Sequence, residues 1–399
     1  MQKILLAVNN MNMNGIKTSL LNMIKFLDLS KFKVTVFLLE KKGILLDAIP
    51  EGIEVISFGE FAEIREMAYL PFLSAVKSLA ADRRYMELCK YCWFSFGAHL
   101  FQDPGILYRY LLKRLPGLDE NYDYAVSYFG PLDPLSYYIL FRTRAVKKVQ
   151  WIHFDVSRIH FNVNFARKYY KKFDQIITVS EKAKQVFEKT LPGLPVECFI
   201  LPVPGQRIRD LSKENTVHYC HEKFQIVTIG RLMPQKGPDI ALEVAKDLKD
   251  RGIAFEWRFI GGGEMYESLE RDRIANGLEN CFYLVGEEIN PFRYLPEADL
   301  YVQPSRDEGY GLTLQEARIM GLPIICTDFA GAGEQIEDGV NGRIVDISKE
   351  ALLQAILNIL EDAELREKFH LALQDETFSD RDCLKYQELY PEENHVQDK

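Results

Sequence analysis

Along most of this 399-residue chain, short apolar runs alternate with stretches whose apolar positions recur every three to four residues. KILLAV at 3–8 is apolar without alternation, the pattern of a strand buried on both faces of a parallel sheet. A loop, NMNMNG, ending in Gly15, follows, and then Ile16, Leu20, Ile24 and Leu27 repeat at helical spacing. Further strand-like runs fall at 34–39, 54–56, 124–127, 149–152 and 175–179, with helical stretches between them. A second series begins with FQIVTIG at 224–230 and continues at 257–261, 281–286, 298–303 and 322–328. Alternating strands and helices predict an α/β protein with open parallel sheets.

The length suits about two domains. Residues 1–201 form the first, and 202–222, opened by Pro202 and Pro204 and lacking sustained periodicity, read as a linker. Residues 223–375 form the second. A last helix over about 379–390, within 376–399, precedes a charged tail. Residues 62–115 interrupt the rhythm of the first half with a long helical stretch rich in aromatic and basic residues, among them Arg83, Arg84, Tyr85, Lys90 and Trp93. Such a stretch can lie on a membrane surface or cover an acceptor groove, or it can be core with snorkelling cations.

The stretch VQPSRDEGYGLTLQE at 302–316 carries the most chemistry. It reads as a strand end, a glycine turn at Gly309 and Gly311, and a helix start, so free N–H groups at 310–313 would favour an anion such as a diphosphate. Glu308 and Glu316 flank that opening as acceptor-only groups, suited to the hydroxyls of ribose and sugar. A capped helix with one glutamate near its favourable N-terminus and the other on a solvated face is the plainer alternative. In GRLMPQKG, after the strand at 224–230, Arg231 and Lys236 suit a diphosphate and the charge that builds on a departing nucleotide. In WIHFD at 151–155, His153 and Asp155 follow a strand, where a parallel sheet presents functional side chains.

Composition is that of a globular protein, 47% hydrophobic and 27% charged. The net charge of −9 divides unevenly: residues 1–200 hold 27 Lys/Arg against 20 Asp/Glu, net +7, and residues 201–399 hold 22 against 38, net −16. The basic half fits anionic lipid or a phosphate-bearing acceptor. The seven cysteines are scattered and odd in number, which fits reduced thiols, and Cys89 and Cys92 lack a second pair or flanking histidines for a metal. No secretory signal or spanning segment is read, so a cytoplasmic protein is expected, with peripheral contact on the inner membrane face as a further expectation.

Taken together, GRLMPQKG, IGGGEMYESLE, the 290–295 segment, ADLYVQPSRDEGYGLTLQEA, GLPIICTD and EDGVNGRIV resemble, in register over most of 224–345, the family 4 glycosyltransferases. These are retaining enzymes of the GT-B fold. The resemblance implies two Rossmann-like domains facing a cleft, with the last helix crossing back to the first domain. It implies a nucleotide-diphosphate sugar donor, UDP- or GDP-linked, and no metal or other cofactor. Arg231 and Lys236 would hold the diphosphate with the backbone of Gly309, Tyr310, Gly311, Leu312 and Thr313, and with Gly15 on the first-domain side. Glu316 would accept from the ribose, Glu308 would sit against the donor sugar, and His153 would stand near the transferred sugar. The acceptor, a glycan or lipid-linked glycan of envelope polysaccharide, would face Asn14, Lys17 and Asp155; no nucleic acid is expected. Asn14-Gly15-Ile16-Lys17 departs from the family's Gly-Gly-x-Glu, with Asn14 tolerating a left-handed turn and Lys17 reversing a charge. A catalytically inactive partner of an active transferase is the alternative function.

Overall fold

A computed structural model describes residues 1–391 except 221, 375 and 377. The chain divides into two compact units, each built on its own parallel sheet. The first contains residues 1–179 and 184–199 and takes up the chain again from Tyr386; the second contains 180–183 and 200–385.

The first sheet has seven strands: β1 (Gln2–Val8), β2 (Phe32–Leu38), β3 (Glu54–Ser57), β4 (Leu118–Ser127), β5 (Thr143–Ile152), β6 (Gln175–Thr178) and β7 (Val196–Cys198), in the order β3-β2-β1-β4-β5-β6-β7. The second has six: β8 (Phe224–Ile229), β9 (Phe255–Ile260), β10 (Phe282–Gly286), β11 (Leu300–Gln303), β12 (Ile324–Thr327) and β13 (Arg343–Val345), in the order β10-β9-β8-β11-β12-β13. Every named pairing is parallel. In both sheets the winding reverses beside the first strand, at β1/β4 and at β8/β11, which is where open α/β sheets leave a crevice at the carboxyl ends of their strands.

Both faces of the second sheet are covered, which explains its unalternating apolar strands. Ile226, Trp257 and Leu300 join one core with Ile356, while their neighbours Val227 and Tyr301 join another with Leu314 and Ile324. Register is pinned at the polar ends of three strands by one device. Asp123, Asp174 and Asp299 each accept the backbone N–H of a residue on the adjoining strand, Lys3, Lys148 and Gln225, at 2.7 Å.

Several expectations need correction. The helical stretch at 62–115 is four helices, Phe61–Tyr69, Phe72–Ala81, Tyr85–Leu100 and Gly105–Leu112. Pro71 and Pro104 disfavour helix in the residue before each, and Arg83 and Gln102 adopt positive φ in the breaks. The stretch expected as a linker contains a helix, Gly205–Lys213, whose Ile208 is buried with Val203 and Ile319. The last helix is a 3₁₀ turn, Asp380–Leu384, then a single α turn, Lys385–Glu388. Tyr390 follows as an anchor, its ring against Tyr124 at 5.2 Å and its hydroxyl 3.6 Å from the Met23 sulfur.

Candidate active site

In the second unit the loops after β8 and β11, neighbours at the reversal point, are tied to each other. Arg306 N–H donates to the Gln235 carbonyl at 2.7 Å, and its guanidinium grips both Asp239 oxygens at 2.7 and 2.6 Å. Gly237 is left-handed at φ 64, and a Cβ there would stand 2.0 Å from the Pro304 carbonyl oxygen, so only glycine allows this approach. The result brings Lys236 and Glu308 together, Nζ to Oε2 at 2.5 Å.

Glu308 is buried, and its other oxygen accepts from Gln303 Nε2 at 2.9 Å and Ser305 Oγ at 3.0 Å. Gln303 in turn accepts from Thr313 Oγ1 at 3.1 Å, which fixes its amide so that the NH₂ faces Glu308. Gln303 and Ser305 were missed by sequence reasoning. The available signal was a glutamine at the last buried position of an otherwise apolar strand.

The Arg231 guanidinium makes no hydrogen bond or ion pair among the described residues. Its side chain still reaches solvent, but the protein packed around it pushes its pKa below the usual value, with Glu308 and then Glu264 acting against that shift. Glu316 is the complementary case. It is buried on the helix Leu312–Ile319, finds no partner among the described residues, and burial alone raises its pKa from 4.5 to about 8. The N–H groups of Gly311, Leu312 and Thr313 likewise have no acceptor among the described residues. Gly309 and Tyr310 are buried in the turn, and Gln335 donates to the Tyr310 carbonyl at 2.6 Å. This corner thus offers an uncommitted guanidinium, a lysine, open amides at a helix start and an unsatisfied carboxyl, a set that can receive a diphosphate beside a vicinal diol.

Gly311 holds φ 88, and a Cβ on it would meet the Phe329 ring at 2.9 Å. Gly311→Ala is expected to lower stability by about 1–3 kcal/mol, measured by thermal or urea unfolding, because it adds backbone strain to a clash.

In the first unit, Asn14, Gly15 and Lys17 follow β1, and His153 and Asp155 follow β5. Asn14 is the N-cap of the helix Gly15–Phe26, its side chain accepting from Lys17 N–H at 3.1 Å. Its φ is −168, so the expected left-handed turn is not used, and Gly15 is simply the exposed first helical residue. Lys17 is buried at 1% exposure with Nζ 3.3 Å from the Phe129 ring centre, so its charge is turned inward. Asp155, expected on the acceptor side, spends Oδ1 on the backbone N–H and hydroxyl of Ser157 at 2.9 and 2.6 Å, holding a turn.

His153 is buried, stacked on Trp151, with Nε2 2.7 Å from the Tyr128 carbonyl oxygen. A carbonyl can only accept, so Nε2 carries the hydrogen. Burial first, and Lys17 nearby, push its pKa to about 3 against the opposing carbonyl contact. The ring is therefore neutral and its Nδ1 is a lone-pair acceptor. Among the described residues no group of three or more His, Cys, Asp or Glu is placed to hold a metal ion.

Residues 214–372, which contain all the second-unit groups above, match the family of glycosyl transferases group 1. That segment is thus similar to the group 1 glycosyl transferases. Over 155 residues the chain is 37% identical to the amylovoran biosynthesis glycosyltransferase AmsK of Erwinia amylovora, covering 36% of this chain and 37% of that protein. Over 183 residues it is 30% identical to a GDP-mannose-dependent α-(1-6)-phosphatidylinositol monomannoside mannosyltransferase of Mycolicibacterium smegmatis, covering 43% and 46%. The chain thus spans less than half the length of either relative. Anabaena HepE with UDP-glucose superimposes with TM-score 0.68 at 17% identity, over 98% of this chain and 99% of that one. Sucrose-phosphate synthase of Thermosynechococcus elongatus does so with TM-score 0.68 at 14% identity, over 98% of each. The matched segment and the sheet that precedes it together have the GT-B fold.

Proposed function

We propose that this protein is a retaining, family 4 glycosyltransferase that moves a hexosyl group from a UDP- or GDP-linked donor to a glycan or lipid-linked acceptor in envelope polysaccharide assembly. The carrying observation is the reversal point of the second sheet, where Arg231, Lys236, three open N–H groups and the unpartnered Glu316 converge. The diphosphate lies on the cations and the amides, and the ribose hydroxyls donate to Glu316. Amylovoran synthesis by one relative and the UDP-glucose bound by one structural neighbour support this choice of chemistry.

The reaction breaks the bond between the anomeric carbon and the phosphate oxygen and forms one from that carbon to the acceptor oxygen on the same face. The acceptor's proton passes to the departing phosphate oxygen, so no protein base is consumed. Arg231, Lys236 and the helix dipole take up the charge that grows on the leaving group, and no metal is needed for that purpose. Glu308, held by three partners, sits against the donor sugar as an acceptor for its hydroxyls. Neutral His153, in the first unit, keeps Nδ1 as an acceptor suited to a sugar hydroxyl. The protein works in the cytoplasm, peripheral to an anionic membrane face that the basic first half attracts; no helix among the described residues is long and apolar enough to cross a membrane.

The test is calorimetry across nucleotide sugars and free nucleoside diphosphates, with Glu316→Ala and Lys236→Ala as controls. Selective binding by the wild type, lost in both variants, is expected. A folded wild type that binds none of them would point instead to an inactive partner subunit, and an inverted anomer in the product, read by NMR, would overturn retention.

A further inference from the structure

The helix Tyr85–Leu100 carries apolar residues on two opposite sides, with Glu87 and Lys90 between them. One side supplies Tyr91 and Phe94 to the core, Phe94 stacking on Tyr110 at 4.3 Å. The opposite side carries Met86, Cys89, Trp93, Phe96 and Leu100, spaced three and four apart in turn and therefore on one face. All five are exposed in the full chain, and Phe101 extends the stripe beyond the helix end. An apolar helix face is normally covered, so this exposed one lacks its counterpart.

Charge identifies what covers it. Between residues 83 and 102 the only acid is Glu87, and it is committed to Arg84 and to Arg114 at 2.6 Å. Arg83 and Lys90 border the stripe, exposed and without partners among the described residues. Arg83, Arg84, Tyr85 and Met86, with Glu63 and Glu87, also line a cavity of about 500 Å³ at the helix start.

We infer that the helix Tyr85–Leu100 docks on an anionic lipid bilayer, with Met86, Trp93, Phe96 and Leu100 below the headgroups and Arg83 and Lys90 among the lipid phosphates. This rests on the reading of a membrane-proximal acceptor and names the element that makes the contact. Other occupants fit less well. Residues 392–399, EENHVQDK, contain one apolar residue and cannot fill a stripe of five. A second copy would need about 800 Å² per partner for a stable interface, whereas one helix face about 24 Å long presents a few hundred. A bilayer needs only such a face, with cations beside it.

The chain carries its own reporter. Of its three tryptophans, Trp151 and Trp257 are 0% exposed and Trp93 is 74% exposed. With vesicles of phosphatidylcholine containing about 30% phosphatidylglycerol, at about 0.1 M salt, the full chain is expected to co-float and its emission to shift to the blue. Pure phosphatidylcholine should bind at least about ten-fold less. Trp93→Phe should keep flotation and lose the shift. Trp93→Ser with Phe96→Ser should lose flotation while keeping its melting temperature and its nucleotide affinity, and Arg83→Glu with Lys90→Glu should lose the preference for anionic vesicles.

Wild type that stays with the pellet, or a Ser/Ser variant that floats as well as wild type, overturns the inference. So does a concentration-dependent dimer in sedimentation that the Ser/Ser variant dissolves. Calorimetry with nucleotide sugars on the same samples separates the two readings: lost donor binding with intact flotation sinks the transferase assignment and spares the docking helix.

Discussion

Lys236→Ala should lower kcat by about 10²–10³-fold with a smaller rise in donor KM, because a cation aimed at a leaving diphosphate acts most strongly where negative charge grows. The geometry sharpens this expectation. Lys236 stands 2.5 Å from Glu308, so its removal also strips a buried carboxylate of its charged partner, leaving only the Gln303 and Ser305 hydrogen bonds. Arg231→Ala should produce a loss of the same order without unpairing Glu308, since Arg231 makes no ion pair among the described residues. Steady-state kinetics on both variants, with unfolding curves alongside, check this. An effect confined to donor KM in both would assign the two cations to ground-state binding alone.

Glu316→Gln should weaken the nucleoside's hold on the protein and at the same time make the protein more stable at alkaline pH. Burial raises the Glu316 pKa from 4.5 to about 8, so the folded chain keeps a proton that the unfolded chain releases between those values. The stability this group contributes is therefore complete below about pH 4.5 and is lost as pH rises through about 8. The glutamine variant lacks that loss, and its advantage in urea unfolding should grow from pH 5 to pH 8 to a few kcal/mol, because a tenfold change in proton affinity corresponds to about 1.4 kcal/mol. Donor affinity carries the opposite sign. Ribose hydroxyls are best received by the ionised carboxylate, so wild-type affinity should rise with pH by up to about ten-fold per pH unit and level off near pH 8. Calorimetry at pH 6, 7 and 8 reads this directly, and a flat profile would mean that the nucleoside does not meet Glu316.

Strands in both sheets were legible because parallel strands covered on two faces announce themselves as apolar runs, and β8 and β11 lie within or next to the runs that predicted them. The short β7 escaped, since Val196–Cys198 is three residues with a glutamate in the middle. The helix Gly205–Lys213 escaped for a related reason: its apolar residues are Ile208 and Leu211, too few to mark a period. In the site, glycine turns and charged residues drew attention to Arg231, Lys236, Glu308 and Glu316. What the sequence could not disclose was commitment. Asp155 and Glu316 are equally acidic on paper, yet one is occupied by Ser157 and the other finds no partner among the described residues. Nor could it reveal that Lys17 is buried with its ammonium on the Phe129 ring, close enough to His153 to help depress that imidazole's pKa.

The fastening of the loop after β8 to the loop after β11 bears on how this chain can vary. Arg306 reaches Asp239 and the Gln235 carbonyl, and Gly237 lies against Pro304, so neither loop can gain or lose a residue alone without parting Lys236 from Glu308. The two segments must be inherited as one unit of fixed length. Loops without such ties, such as the one around Gly193, where a Cβ would meet nothing within 4 Å, are left free to drift in length and sequence.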